Sequence, residues 1–79
     1  MLQNLKLYSR QGCHLCEEME AALLSFNDEL LYSVTVYDID DDQNLFDRFN
    51  VLVPIVFKGD QEILRYHFEL ANLKSALTN

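Results

Sequence analysis

Residues 7–16 read Leu7-Tyr8-Ser9-Arg10-Gln11-Gly12-Cys13-His14-Leu15-Cys16, and the fold turns on how this stretch divides. Leu5, Leu7 and Tyr8 lie in a short segment ending at Ser9-Arg10-Gln11-Gly12, which predicts a strand running into a tight loop. From Cys13 the period changes. Leu15, Met19, Ala22, Leu23 and Phe26 form one apolar stripe at helical spacing, and the helix is expected to stop near Asn27-Asp28. The loop therefore delivers Cys13 to a helix start.

Downstream, Ser33-Val34-Thr35-Val36-Tyr37-Asp38 alternates and is rich in β-branched residues, so it predicts a second strand with Val34 and Val36 on one face. Asp40, Asp41 and Asp42 are N-cap candidates for a short helix carrying Leu45, Phe46 and Phe49. Pro54 precedes a buried strand, Ile55-Val56-Phe57; a Lys58-Gly59-Asp60 turn then leads to its hairpin partner, Glu62-Ile63-Leu64-Arg65. A last helix, roughly residues 69–77, puts Leu70, Leu73 and Leu77 on one side. The order is βαβαββα. Its opening implies a parallel pair joined by a right-handed crossover, and its closing hairpin is antiparallel. The expectation is a small α/β sandwich with a mixed sheet.

With 79 residues, 49% of them hydrophobic, residues 1–79 suit one domain with one core. A chain of this length buries roughly 60–65% of the surface its unfolded form exposes, enough to fold alone with little stability to spare. Six basic against 13 acidic residues give a formal charge of −7, which opposes nucleic-acid phosphates and anionic lipids. The longest nearly apolar stretch, Val51 to Phe57, is far short of the ~20 residues of a spanning helix and is interrupted by Pro54. The first residues show no signal-peptide pattern, so the cytoplasm is the expected location. Two cysteines do not make a secreted disulfide scaffold, and a reducing compartment fits them better.

Cys13-His14-Leu15-Cys16 is the informative motif. A two-residue gap sets both sulfurs on one helical turn, close enough to interchange a thiol pair and a disulfide. Alone the spacing is weakly specific; after a predicted strand, within a βαβ pattern and at a helix start, it is a redox signature. A free thiol with pKa about 8.5 is only ~3% ionised at pH 7, so reactivity requires the thiolate to be favoured. Cys13 should meet unpaired backbone N–H groups and the positive end of the helix dipole, while Cys16 should be less exposed. Arg10 and a protonated His14 favour the Cys13 thiolate; Glu17, Glu18 and Glu20 oppose it, each by ~0.5 kcal/mol at ~8 Å. The expected result is a modestly depressed Cys13 pKa, that of a reductant rather than a strong oxidant.

These residues, with the acidic strand end Tyr37-Asp38-Ile39-Asp40 and the segment Val53-Pro54-Ile55-Val56-Phe57, resemble a glutaredoxin-like protein of the thioredoxin-fold superfamily. The resemblance spans almost the whole chain and is greatest to small bacterial members with Cys-His-Leu-Cys instead of Cys-Pro-Tyr-Cys. It implies a four-stranded mixed sheet, Cys13 as the attacking thiol, Cys16 as the resolving thiol, and Pro54 in a cis peptide facing them. It also implies that the backbone of Val53 pairs with the bound thiol substrate. Arg10 is a candidate to meet a substrate carboxylate, with Arg65 as a further contact. Typical members carry Gly-Gly and acidic residues after the last strand to hold glutathione. Here the stretch reads Ile63-Leu64-Arg65-Tyr66-His67-Phe68-Glu69, so a protein disulfide or another low-molecular-weight thiol is as good a substrate as glutathione.

The expected activity is thiol–disulfide oxidoreduction, serving electron transport and cell redox homeostasis, by a monomer with no bound cofactor and with glutathione or a reductase as electron donor. The rival reading is a non-catalytic thioredoxin-fold binding module, its cysteines vestigial or holding a metal or an iron–sulfur cluster between two chains. Within one chain, Cys13, Cys16 and His67 supply three ligands where a closed zinc site needs four, so no metal site is assigned. The acidic run 38–42 is no calcium loop, since a loop starting at Asp38 would place Gln43 at the glycine position and Phe49 at the bidentate glutamate. His14 and His67 read as surface residues. Phe46, Phe49, Phe57 and Phe68 read as core.

Overall fold

The first strand, β1 (Gln3–Ser9), alternates as a half-buried strand should: Leu5, Leu7 and Ser9 are buried while Lys6 and Tyr8 face the other side. The computed structural model describes residues 2–78. After β1 come α1 (His14–Ser25), α2 (Asn27–Leu30), β2 (Tyr32–Asp38) and a 3-10 turn at Ile39–Asp41. The chain continues through α3 (Gln43–Phe49), β3 (Ile55–Lys58), β4 (Gln61–Arg65) and α4 (Leu70–Thr78).

The four strands form one sheet in the order β2-β1-β3-β4. β1 is central, parallel to β2 from Gln3↔Tyr32 to Ser9↔Asp38 and antiparallel to β3 through Leu7↔Val56. β3 and β4 close the sheet as the expected antiparallel hairpin, turned at Gly59, whose φ of 61° is left-handed. The mixed four-stranded sheet anticipated for this chain is therefore present.

Alternation along the strands sorts the apolar residues into two clusters. One face carries Leu5, Leu7, Tyr32, Val56 and Leu64 against Met19 and Leu23 of α1 and Leu73 of α4. The other gathers Ile39, Phe49 and Ile55, with Tyr8, Leu45, Val53 and Phe57 packed around them. There Tyr8 stacks on Phe49 at 4.5 Å between ring centroids and on Tyr37 at 5.3 Å. β1 is thus gripped on both sides just before it enters the cysteine loop.

Three details depart from the sequence reading. A separate turn of helix, α2, follows α1 and ends at Leu31 in a left-handed conformation, φ 58°. Val34 and Val36 share a face, yet only Val34 packs on the core. Val36 stays 42% exposed because β2 is an edge strand whose end opens beside the loop at 9–12. Phe46 is only partly buried, with the Arg10 guanidinium 5.6 Å from its ring centre. Phe49 is buried, and Phe57 and Phe68 pack against the two clusters as expected of core residues. Asp42 is the aspartate that caps α3, its Oδ1 accepting from the amides of Asn44 at 2.8 Å and Leu45 at 3.3 Å.

Candidate active site around the cysteine pair

The path from β1 into α1 depends on Gly12, whose φ of 75° lies in the region that L side chains disfavour. This turn sets Cys13 in the N-cap position of α1, with extended backbone angles of −96° and 108°. The Cys13 Sγ accepts a hydrogen bond from the Cys16 amide at 3.1 Å, the role that a serine or aspartate oxygen plays in most caps. Cys13 and Cys16 are joined as a disulfide, with Cα atoms 5.2 Å apart.

The two sulfurs are not equivalent. Cys13 is partly exposed, while Cys16, one turn into the helix, is buried at 3% exposure. An incoming group meets Cys13 first. The Cys16 amide and the N-terminus of α1 face the Cys13 sulfur.

The remaining sequence candidates fall on different sides of this pair. His14 projects into solvent, its side chain 84% exposed and 3.6 Å from Glu18. The Arg10 guanidinium is bonded to Asp40 at 2.9 Å and to the carbonyl and side-chain oxygens of Asn50 at 3.4 Å. Arg65 is held by Glu62 at 2.7 Å, which raises its already high pKa chiefly through that hydrogen bond. The Val53-Pro54 peptide is cis, with Pro54 buried and Val53 packed against the second cluster.

Two clefts flank α1. One, about 360 Å³, is lined by Arg10, Gly12, Cys16, Glu17, Glu20 and Asp38 among others. It joins the buried cysteine to a wall of carboxylates, and neither Val53 nor Pro54 lines it. The other, about 310 Å³, runs between Leu15, Glu18 and Met19 on one side and Tyr66, His67 and Phe68 on the other. His67 is exposed in that groove. Among the described residues, no group of three or more His, Cys, Asp or Glu side chains is placed to hold a metal ion, and no helix is long and apolar enough to cross a membrane.

Tyr66 is the residue that the sequence did not announce. It adopts a left-handed φ of 66°, a conformation glycine would take without strain. Its amide donates to the Pro54 carbonyl at 2.8 Å and its phenol to the Val51 carbonyl at 3.0 Å, so it holds the 51–54 loop from two points. Only its place in the stretch where glycines were expected hinted at this backbone shape.

A model of the Glutaredoxin-like domain family (DUF836) matches residues 4–78. The chain is similar to a Nitrosomonas europaea protein solved by solution NMR, with a TM-score of 0.83 and 31% identity over 96% of this chain and 92% of that one. An X-ray structure of an X. campestris protein gives a TM-score of 0.72 and 29% identity, covering 94% and 95% of the two chains. Fasciola hepatica thioredoxin aligns with a TM-score of 0.59 at 16% identity, over 98% of this chain and 79% of that one, a likeness of fold. The search of curated proteins found no match. The architecture is thioredoxin-like, as the family resemblance had implied.

Proposed function

This chain belongs to the Glutaredoxin-like domain family (DUF836), and on that premise we propose that it is a thiol–disulfide oxidoreductase. The observation that carries the reading is the bonded pair Cys13–Cys16 at the start of α1, one sulfur accessible and its partner buried. A structural bridge spanning so short a loop constrains the unfolded chain little, which leaves reversible exchange as the better use of the pair.

In the reduced protein the Cys13 thiolate attacks one sulfur of a substrate R–S–S–R′, forming the mixed disulfide Cys13–S–S–R and expelling R′S⁻, which takes a proton from water. The Cys16 thiol loses its proton to water and attacks the Cys13 sulfur, displacing RS⁻ and leaving the Cys13–Cys16 bridge. Two electrons pass from the protein dithiol to the substrate disulfide. Two equivalents of a low-molecular-weight thiol such as glutathione, or one dithiol of a reductase, return them and are themselves oxidised to a disulfide. The Val53 backbone is the proposed edge against which the substrate segment lies. Arg10 gives the Cys loop its register against Asp40 and Asn50, a positioning role in place of the expected substrate contact.

Single substitutions test the scheme. With hydroxyethyl disulfide as substrate, Cys13→Ser is expected to abolish turnover, and Cys16→Ser to accumulate a mixed disulfide visible as a mass increase of one substrate half. Turnover retained in Cys13→Ser overturns the assignment. Protein purified without oxygen, assayed for zinc and iron, decides the metal-holding rival: stoichiometric metal bridging two chains would replace the oxidoreductase reading.

A further inference from the structure

We propose that the cleft beside Cys16 selects disulfides carrying positive charge next to the reacting sulfurs, above all those in lysine- or arginine-rich polypeptide segments, and discriminates against anionic ones such as glutathione disulfide. The inference rests on the oxidoreductase reading and adds a substrate class to it.

Three carboxylates, Glu17, Glu20 and Asp38, line the same cleft as Cys16. Among the described residues lining it Arg10 is the one cation, and its guanidinium is already occupied by a fourth carboxylate, Asp40, at 2.9 Å. His14, next to the accessible sulfur, lies against Glu18. The far groove adds that Glu18 to its wall as well. Glu17, Glu20 and Asp38 therefore put negative charge on the cleft while Asp40 offsets Arg10 and Glu18 lies against His14, and the whole chain carries −7. The space, about 360 Å³, accepts a side chain or two of a docking segment but is open to water. In such a setting each carboxylate–cation pair at ~8 Å changes encounter by about twofold, and salt screens the effect over a Debye length of ~8–10 Å. An anionic substrate experiences the same factor in reverse.

Small disulfides of equal chemistry and different charge isolate this effect. Reduced protein freed of excess thiol is mixed with cystamine (a dication), hydroxyethyl disulfide (neutral) or dithiodiglycolate (a dianion), and the second-order rate of exchange is followed at 20 mM and 500 mM NaCl. Leaving-group differences cancel when wild type is compared with the Glu17→Gln/Glu20→Gln double variant, and the neutral disulfide corrects for any change in the thiolate itself. Asp38 is left in place because its Oδ1 accepts the Asp40 amide at 2.9 Å and caps the 3-10 turn.

The cystamine-to-neutral rate ratio is expected to fall about fourfold in the double variant at low salt and to change little at high salt, while the dithiodiglycolate-to-neutral ratio rises. Ratios that are the same in wild type and variant overturn the inference. Wild-type protein that reacts with none of the three overturns the oxidoreductase reading itself, an outcome distinct from loss of charge preference.

Discussion

The Tyr66 phenol donates a hydrogen bond of 3.0 Å to the carbonyl of Val51 while the Tyr66 amide reaches the carbonyl of Pro54 at 2.8 Å. One residue after β4 therefore clamps both ends of the loop before β3. It does so in a left-handed backbone conformation that costs a non-glycine residue roughly 1–2 kcal/mol, offset by two hydrogen bonds of about 0.5–1.5 kcal/mol each. Tyr66→Phe keeps the ring and the amide and loses the phenol bond, so it is expected to lower unfolding free energy by about 1 kcal/mol in urea melts. Tyr66→Gly loses the phenol bond but also relieves the backbone, so it should be less damaging than Tyr66→Ala, which keeps the strain and loses the side chain. Ala equal to or better than Gly would refute this account of the clamp.

Leu31 provides a second left-handed residue, this time at the end of α2 with φ 58°, and the residue is 62% exposed. Little packing is at stake there. The Leu31 carbonyl still accepts the Gln3 amide at 3.4 Å whatever the side chain. Leu31→Gly is accordingly expected to stabilise the protein by about 0.5–1 kcal/mol, read as a rise of a few degrees in Tm. A fall in Tm would mean that the leucine side chain contributes more than its exposure implies.

Tyr32 introduces a pH dependence. Its ring is buried at 1% exposure and its hydroxyl donates to the Leu23 carbonyl near the end of α1. Burial pushes the phenol above the ordinary 10.0, because the phenolate would have to leave water. The folded state then holds this proton more tightly than the unfolded state. Stability from this group is complete below pH ~10 and is lost as pH rises through the elevated folded value. Chemical denaturation between pH 8 and 11 should show a decline beginning near pH 10, and Tyr32→Phe should be less stable at pH 8 but flatter above 10. An unchanged slope in that variant would assign the decline to the other tyrosines.

These residues also mark how far the amino-acid order could be read. β1, α1 and the β3–β4 hairpin were legible because each carries a period that only one kind of element satisfies, as in Leu5 and Leu7 against Lys6 and Tyr8. The cysteine pair was legible because its chemistry is local: spacing and a preceding glycine are sufficient to put Cys13 at the cap. Arg10 was not. Its cationic head was available to a substrate in sequence and is committed to Asp40 and Asn50 in space, thirty and forty positions away. Tyr66 was hidden for the same reason, since its role depends on Val51 and Pro54 across the fold, and left-handed tyrosine has no sequence signature. Val36 shows the limit of alternation, which predicts the face of a strand residue but not whether a helix extends far enough to cover it.

The Arg10–Asp40 pair yields the last prediction. Both side chains are substantially exposed, 33% and 44%, so the pair contributes below about 1 kcal/mol to stability. Its larger effect is on charge at the cysteine cleft, where Arg10 is the one cation among the described lining residues and Asp40 occupies it. Asp40→Asn leaves the backbone contact of residue 40 with Asp38 intact and removes one negative charge, freeing the guanidinium to meet an anion. Exchange with dithiodiglycolate, relative to hydroxyethyl disulfide, is expected to rise about two- to fourfold at low salt, with Tm within a few degrees of wild type. Arg10→Gln in the same background should return the ratio toward that of wild type, because the gain requires the freed cation and not merely the missing carboxylate. If Asp40→Asn and the Arg10→Gln/Asp40→Asn double variant show the same ratio, the released Arg10 does not act on the anionic disulfide, and its task is confined to holding the cysteine loop.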